Sequence, residues 1–174
     1  YLYAIGGKFG ATYYNTVYRY DLVGGTWSTA EPLPQAIGWC KAVTYQNRYI
    51  YLAGGHNGTS VLDKVYMLDV EAETPVWVEL GTTLPDARFG GAFAIVGTKL
   101  VYVTGASSNS TLSNTVFVGT INSPTDVTWV QTASKYPGNG KNVTISTNEN
   151  LSEVDYNKIL NGKKEVEGDD PKST

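Results

Sequence analysis

The stretch YLYAIGG (residues 1–7) returns as YIYLAGG (residues 49–55), 48 positions further on, and this recurrence decides the fold. Each copy is a run of aromatic and branched residues, which suit a pleated strand, closed by a glycine pair. A strand ending in two glycines must turn sharply or meet another backbone closely, because glycine takes positive φ without a Cβ penalty. The neighbouring marks recur in the same order. A polar loop leads to VYRYD (17–21) and VYMLD (65–69), then a turn and a lone tryptophan, Trp27 and Trp77, then PLP (32–34) and TLP (83–85). A weaker third unit reads Gly105-Ala106, VFVGT (116–120), Trp129 and KYP (135–137). Units that repeat at this spacing cannot bury their faces alone and stack on one another.

Each unit reads as four short antiparallel strands. CKAVTY (40–45) and RYIYLAGG (48–55) flank the tight turn Gln46-Asn47. KVYMLDV (64–70) and VWVEL (76–80) follow, joined through Glu73-Thr74-Pro75. The next unit repeats this as GAFAIV, KLVYVTG, TVFVGTI and VTWVQT. Alternation with short connections predicts a meander, and no helical period occurs before residue 150. The tyrosine of the third strand and the tryptophan of the fourth are expected to fill the space between successive sheets, Trp27 and Trp77 included. Stacked around an axis, such sheets make a β-propeller.

The paired glycines, Tyr18 and Tyr66 after them, and the aspartate-to-tryptophan steps Asp21–Trp27 and Asp69–Trp77 resemble kelch repeats over residues 1 to 137. Gly105-Ala106, Phe117 and Gly119-Thr120 depart from that pattern in the third unit. The resemblance implies an all-β fold of kelch-type β-propeller blades, four-stranded antiparallel sheets in an incomplete ring. Residues 1–35 supply a blade without its first strand, 36–82 one full blade and 88–133 another. Propellers close with about four to eight blades, so the chain is expected to be a fragment whose remaining blades come from elsewhere. Residues 138–174 form a polar C-terminal segment in this reading. NVTIST (142–147) is expected as one further strand or as a partner for the first residues, LSEVDYNKIL (151–160) as a short helix, and the rest as a solvated tail.

Composition narrows the partners. A net charge of −3 offers no basic stripe for nucleic acid, and no apolar run has the length of a membrane span. Cys40 is the single cysteine, read as a buried inert thiol, and no cofactor is expected. Asn57, Asn109, Asn142 and Asn150 begin Asn-X-Ser/Thr sequons, which point to the cell exterior or surface while leaving the cytoplasm open.

Strand parity puts the connections 8–14, 56–63 and 106–114 on one propeller face, together with the linkers 28–39 and 81–90. Binding residues concentrate in such loops. The candidates are Lys8, Phe9, Tyr13, Tyr14, Trp39, His56, Arg88 and Phe89, exposed cations and rings suited to a protein or glycan ligand. The simpler reading makes Trp39 and Phe89 packing residues and pairs Arg88 with a carbonyl. Glycans on Asn57 and Asn109 would compete for the same face. No nucleophile elbow, carboxylate pair or phosphate loop is present, so a non-catalytic binding module is the expectation. The alternatives are part of a copper enzyme of galactose-oxidase type, part of a sugar mutarotase, or a surface-filament subunit. The copper site of that family needs two histidines, and this chain has one, His56.

Overall fold

The computed structural model describes residues 1–108, 111–138, 140 and 143–146, and these are all strand, turn or loop. The first blade joins β1 (Leu2–Ile5), β4 (Val17–Asp21) and β5 (Thr26–Ala30) in the order β1-β4-β5. The second is β6 (Lys41–Tyr45), β7 (Tyr49–Ala53), β8 (Val65–Asp69) and β9 (Trp77–Glu79), paired in sequence. The third is β10 (Ala92–Val96), β11 (Lys99–Val103), β12 (Val116–Ser123) and β13 (Asp126–Gln131), again paired in sequence. A small hairpin, β2 (Lys8–Phe9) with β3 (Thr12–Tyr13), stands in the first of the expected long connections. All pairings are antiparallel, and the ring is open.

Local chemistry explains the turns. Gln46 and Asn47 both adopt left-handed φ, 53° and 54°, the twist that a two-residue hairpin requires. Asp21 and Asp69 close the third-to-fourth strand turns, each accepting a backbone N–H two residues on, from Val23 and Glu71. The amides of Gly24 and Val23 hold the Asp21 carboxyl below its ordinary range. For Asp69 the larger cause is the Arg48 guanidinium, which donates two hydrogen bonds of 2.8 and 2.7 Å.

Each sheet has a front face toward the preceding blade and a rear face toward the following one. Between the first and second blades, Val17, Tyr3, Ile5 and Ala30 meet Ile50, Leu52, Tyr66, Leu68 and Trp77. Between the second and third, Tyr51, Ala53, Val65 and Met67 meet Leu100, Tyr102, Phe117 and Trp129. The polar ends of Trp77 and Tyr51 are satisfied across the junctions, whereas Tyr102 Oη and Trp129 Nε1 are buried without a hydrogen-bond partner among the described residues. Trp77 Nε1 donates to the Glu31 carbonyl at 3.0 Å, and Tyr51 Oη donates to the Pro124 carbonyl at 2.8 Å.

The glycine pairs carry the stacking. The second glycine sends its N–H to the linker entering the next blade, Gly7 to the Ile37 carbonyl and Gly55 to the Arg88 carbonyl, both at 2.8 Å. A Cβ on Gly6 would lie 2.5 Å from the Ile37 oxygen, and one on Gly54 would lie 2.4 Å from the Arg88 oxygen. Only glycine fits there.

Three expectations need correction. The third counterpart of the glycine pair is Thr104-Gly105, at φ 63° and 91°, and not Gly105-Ala106. Its hydrogen bonds prove the register: Thr104 N–H bonds to Thr115, as Gly54 does to Lys64, and Gly105 N–H bonds to Gly140 at 3.0 Å. Trp27 is 55% exposed whereas Trp77 is 8% exposed, because Trp27 lies on the front face of the first blade, where no sheet of the described residues packs. Within NVTIST, residues 143–146 form no strand. The proposed helix, the solvated tail and the sequons at Asn109, Asn142 and Asn150 lie outside the described residues.

Thr104 is a β-branched residue in left-handed conformation, buried, with its hydroxyl unpartnered. Such strain costs on the order of 1–3 kcal/mol. Thr104→Gly should therefore raise stability by about 1 kcal/mol, a rise of several degrees in Tm, after the entropic cost of glycine. Gly54→Ala should lower it. Thermal unfolding checks both, and a drop for Thr104→Gly contradicts the register.

Candidate functional site

The loop face is assembled by backbone bridges between a blade's linker and its own second-to-third strand connection. Gly38 and His56 exchange hydrogen bonds of 2.9 Å in both directions, and His56 also bridges Val61. Phe89 and Ala106 repeat the arrangement one blade on. Trp39, directly after Gly38, takes φ 55°, and its carbonyl accepts the Gly90 N–H at 3.0 Å. The indole is thereby fixed at the junction of all three blades.

Around it four of the other seven predicted side chains converge. Tyr13 stacks on His56 with centroids 5.6 Å apart and meets Trp39 edge-on at 5.9 Å. Trp39 and His56 both contact Phe89, at 5.3 and 6.0 Å. The Lys8 ammonium stands 5.0 Å from the Trp39 ring centroid and 5.5 Å from that of Tyr13, and it donates to the Gly10 carbonyl. The result is a graded platform: Phe89 is its buried floor at 4% exposure, Trp39 its surface at 42%. His56 Nδ1 accepts the Gly58 N–H at 2.9 Å, so a neutral ring carries its proton on Nε2, free to donate.

Two glycines that the sequence reading passed over make the platform possible. A Cβ on Gly38 would lie 3.0 Å from Lys8 Cβ and 3.1 Å from Tyr13 Cδ1, and one on Gly58 would lie 3.3 Å from the Tyr13 ring. Their signal was present: each sits beside a residue already singled out, Trp39 or Asn57.

The other predicted residues sit elsewhere. Phe9 is 81% exposed in β2, and Tyr14 is exposed after β3; neither joins the ring cluster among the described residues. Arg88 is buried, not presented to solvent. Its guanidinium donates to Asp86 at 2.7 Å, the Ala87 carbonyl at 2.8 Å and Ser113 at 3.1 Å, and lies over the Phe117 ring. Asn57 holds its own loop. Its Oδ1 accepts the Thr59 and Ser60 N–H groups, and its Nδ2 donates to Gln35. Cys40 is half-buried, and desolvation pushes its thiol up to about 11, so the sulfur stays protonated. Among the described residues, no three His, Cys, Asp or Glu side chains gather as a metal-binding group.

A family model described as the Kelch motif matches residues 1–34 and 40–82. Those two stretches carry kelch motifs. Their structure is that of kelch-type β-propeller blades, and the fold is shared with a solved structure, that of YjhT. The two superpose with a TM-score of 0.67 at 16% sequence identity, over 79% of this chain and 50% of that one. The chain thus spans about half the length of YjhT. No curated protein sequence matches it.

The division between floor and surface is testable by stability. Arg88→Ala removes a buried cation with its hydrogen bonds and should cost about 2–4 kcal/mol. Trp39→Ala, at a part-exposed site, should cost about 1 kcal/mol or less. Denaturant unfolding of both variants separates them, and equal losses would contradict the assignment.

Proposed function

We propose that the chain is a non-catalytic binding module that recognises a protein or glycan through the loop face, with Trp39 at the centre of contact. The kelch-repeat fold supports a binding role in general. One observation carries the specific reading: a large, half-exposed indole is held at positive φ, flanked by Tyr13 and His56 and accompanied by Lys8. Holding a non-glycine residue there costs folding energy, which is a common feature of ligand-contacting positions. Rigid aromatics beside a cation present large contact area at low entropic cost, and they dominate the energetics of many interfaces. The open ends of the ring are read as faces that further blades cover. The sequons support a setting at the cell exterior.

Screening the full chain against glycan arrays and a displayed peptide library tests this. A ligand selected by the wild type should lose at least about tenfold in affinity with Trp39→Ala, roughly 1.4 kcal/mol, while Leu22→Ser, remote from the platform, leaves it unchanged. Equal binding by wild type and Trp39→Ala overturns the reading.

A further inference from the structure

The loop from His56 to Ser60 holds an asparagine-glycine pair with the groups for an internal reaction gathered around it. Asn57 precedes Gly58, and a glycine leaves its backbone nitrogen open to the asparagine side chain, because no Cβ stands beside the path of approach. In such a pair the glycine nitrogen can close on the asparagine Cγ to form a five-membered imide, with the side-chain nitrogen leaving as ammonia. In an unstructured chain three things slow the closure. The backbone N–H is a very weak acid, the tetrahedral carbon puts negative charge on Oδ1, and the side chain samples several rotamers. Each has a counterpart in this loop.

The base is His56. Its Nδ1 accepts the Gly58 N–H at 2.9 Å, and so faces the proton that must be removed. The ring is held there by Tyr13, stacked at 5.6 Å, and by Trp39 and Phe89, edge-on at 6.1 and 6.0 Å, while its backbone is bridged to Gly38 and Val61. The donors to the developing charge are the Thr59 and Ser60 N–H groups, 3.0 and 2.8 Å from Oδ1. Such bonds strengthen as charge grows on the oxygen, and they favour the transition state over the ground state. They also turn the amide toward the C-terminal side of its own residue, where the Gly58 nitrogen lies. Gln35 sets the amide's orientation. Its Nε2 donates to Tyr66 Oη at 2.7 Å, which leaves its Oε1 to accept Asn57 Nδ2 at 3.2 Å. Gly58, Thr59 and Ser60 are exposed, so water reaches the site. A loop clamp alone would use the same Asn57 bonds, but it has no need of an imidazole acceptor on the neighbouring amide.

We infer that Asn57 is a self-modifying residue, converted by its own loop to aspartate and isoaspartate. His56 Nδ1 takes the Gly58 proton as the nitrogen bonds to Asn57 Cγ. The tetrahedral intermediate collapses by breaking the Cγ–Nδ2 bond. The proton passes from the imidazolium, through solvent, to the departing nitrogen, which leaves as ammonia. Water then opens the imide at one of its two carbonyl carbons: attack at Cγ restores the normal backbone with an aspartate, and attack at the main-chain carbon leaves an isoaspartate. One water is consumed and one ammonia released, with no change of oxidation state. Either product loses the bond from Nδ2 to Gln35 and places a negative charge beside His56, on the face that carries Lys8. The platform thereby contains its own slow change of charge.

Peptide mapping by mass spectrometry follows the amide-to-acid conversion at position 57 while the purified chain is incubated at neutral pH. The chain is made in bacteria, so that Nδ2 carries no glycan. The reference is a synthetic peptide of residues 52–62, LAGGHNGTSVL, with the same neighbours and no fold. Folding ordinarily slows this reaction by restraining the chain; here the native chain should convert at least about tenfold faster than the peptide. His56→Gln should lower the native rate by about tenfold or more while circular dichroism retains the sheet signal. Asn139-Gly140 and Asn161-Gly162 in the same chain should convert at unchanged rates in that variant. A native rate at or below that of the peptide overturns the inference, since the fold then shields Asn57. A folded His56→Gln chain converting as fast as the wild type also overturns it, since no base is then at work. Should His56→Gln fail to fold, the comparison of native chain with peptide decides alone.

Discussion

The structure depends on a contact between two pieces of backbone. Where the second strand of a blade ends, the chain enters left-handed φ for two residues, and the second of them hands its N–H to the carbonyl of the linker entering the following blade. The first sits so close to that carbonyl that a side chain is excluded at Gly6 and Gly54. A buried carbonyl without a donor costs about 1–3 kcal/mol, so this bond both satisfies the linker and sets the distance between sheets. Side-chain packing then follows. The tyrosine, phenylalanine and tryptophan at the front of one sheet meet the rear of the one before, Tyr3, Ile5 and Val17 in one junction and Tyr51, Ala53, Val65 and Met67 in the other.

The same contact positions the platform. Because each linker is pinned to the preceding blade, it crosses the loop face at a fixed height and bridges the connection beside it, Gly38 to His56 and Phe89 to Ala106. Side chains from three separated segments, 8–13, 39–56 and 89, therefore meet on one small surface. Rigid sheets carry variable loops, and this division of labour lets a strained Trp39 persist. The stacking energy comes from the blades, and the loop face is free to specialise.

Much of the fold was legible in the chain because its marks are steric. Glycine pairs, a third-strand tyrosine and a fourth-strand tryptophan recur where space is either absent or must be filled. What misled was reading letters instead of conformations. The repeated property is left-handed φ, which Thr104 adopts despite its branched side chain, so the glycine of Gly105-Ala106 was assigned one place too early in the pair. Trp27 was expected to be buried like Trp77, yet burial belongs to the pair of facing sheets and not to the residue. For the platform, strand parity placed the loops on one face, which is why Lys8, Tyr13, Trp39, His56 and Phe89 could be named together. Arg88 could not be separated from them by sequence, since its role turns on the Asp86 and Ser113 side chains to which it donates.

Amide hydrogen exchange followed by nuclear magnetic resonance tests the central contact most directly. The Gly7 and Gly55 amides lie outside regular strands, so their protection depends on the linker carbonyls they hold. The account predicts that both exchange as slowly as the central amides of β7 and β8, opening only with global unfolding. Exchange of Gly55 at the rate of the neighbouring loop amides, such as Gly58, would show that the linker is not held and would contradict the account.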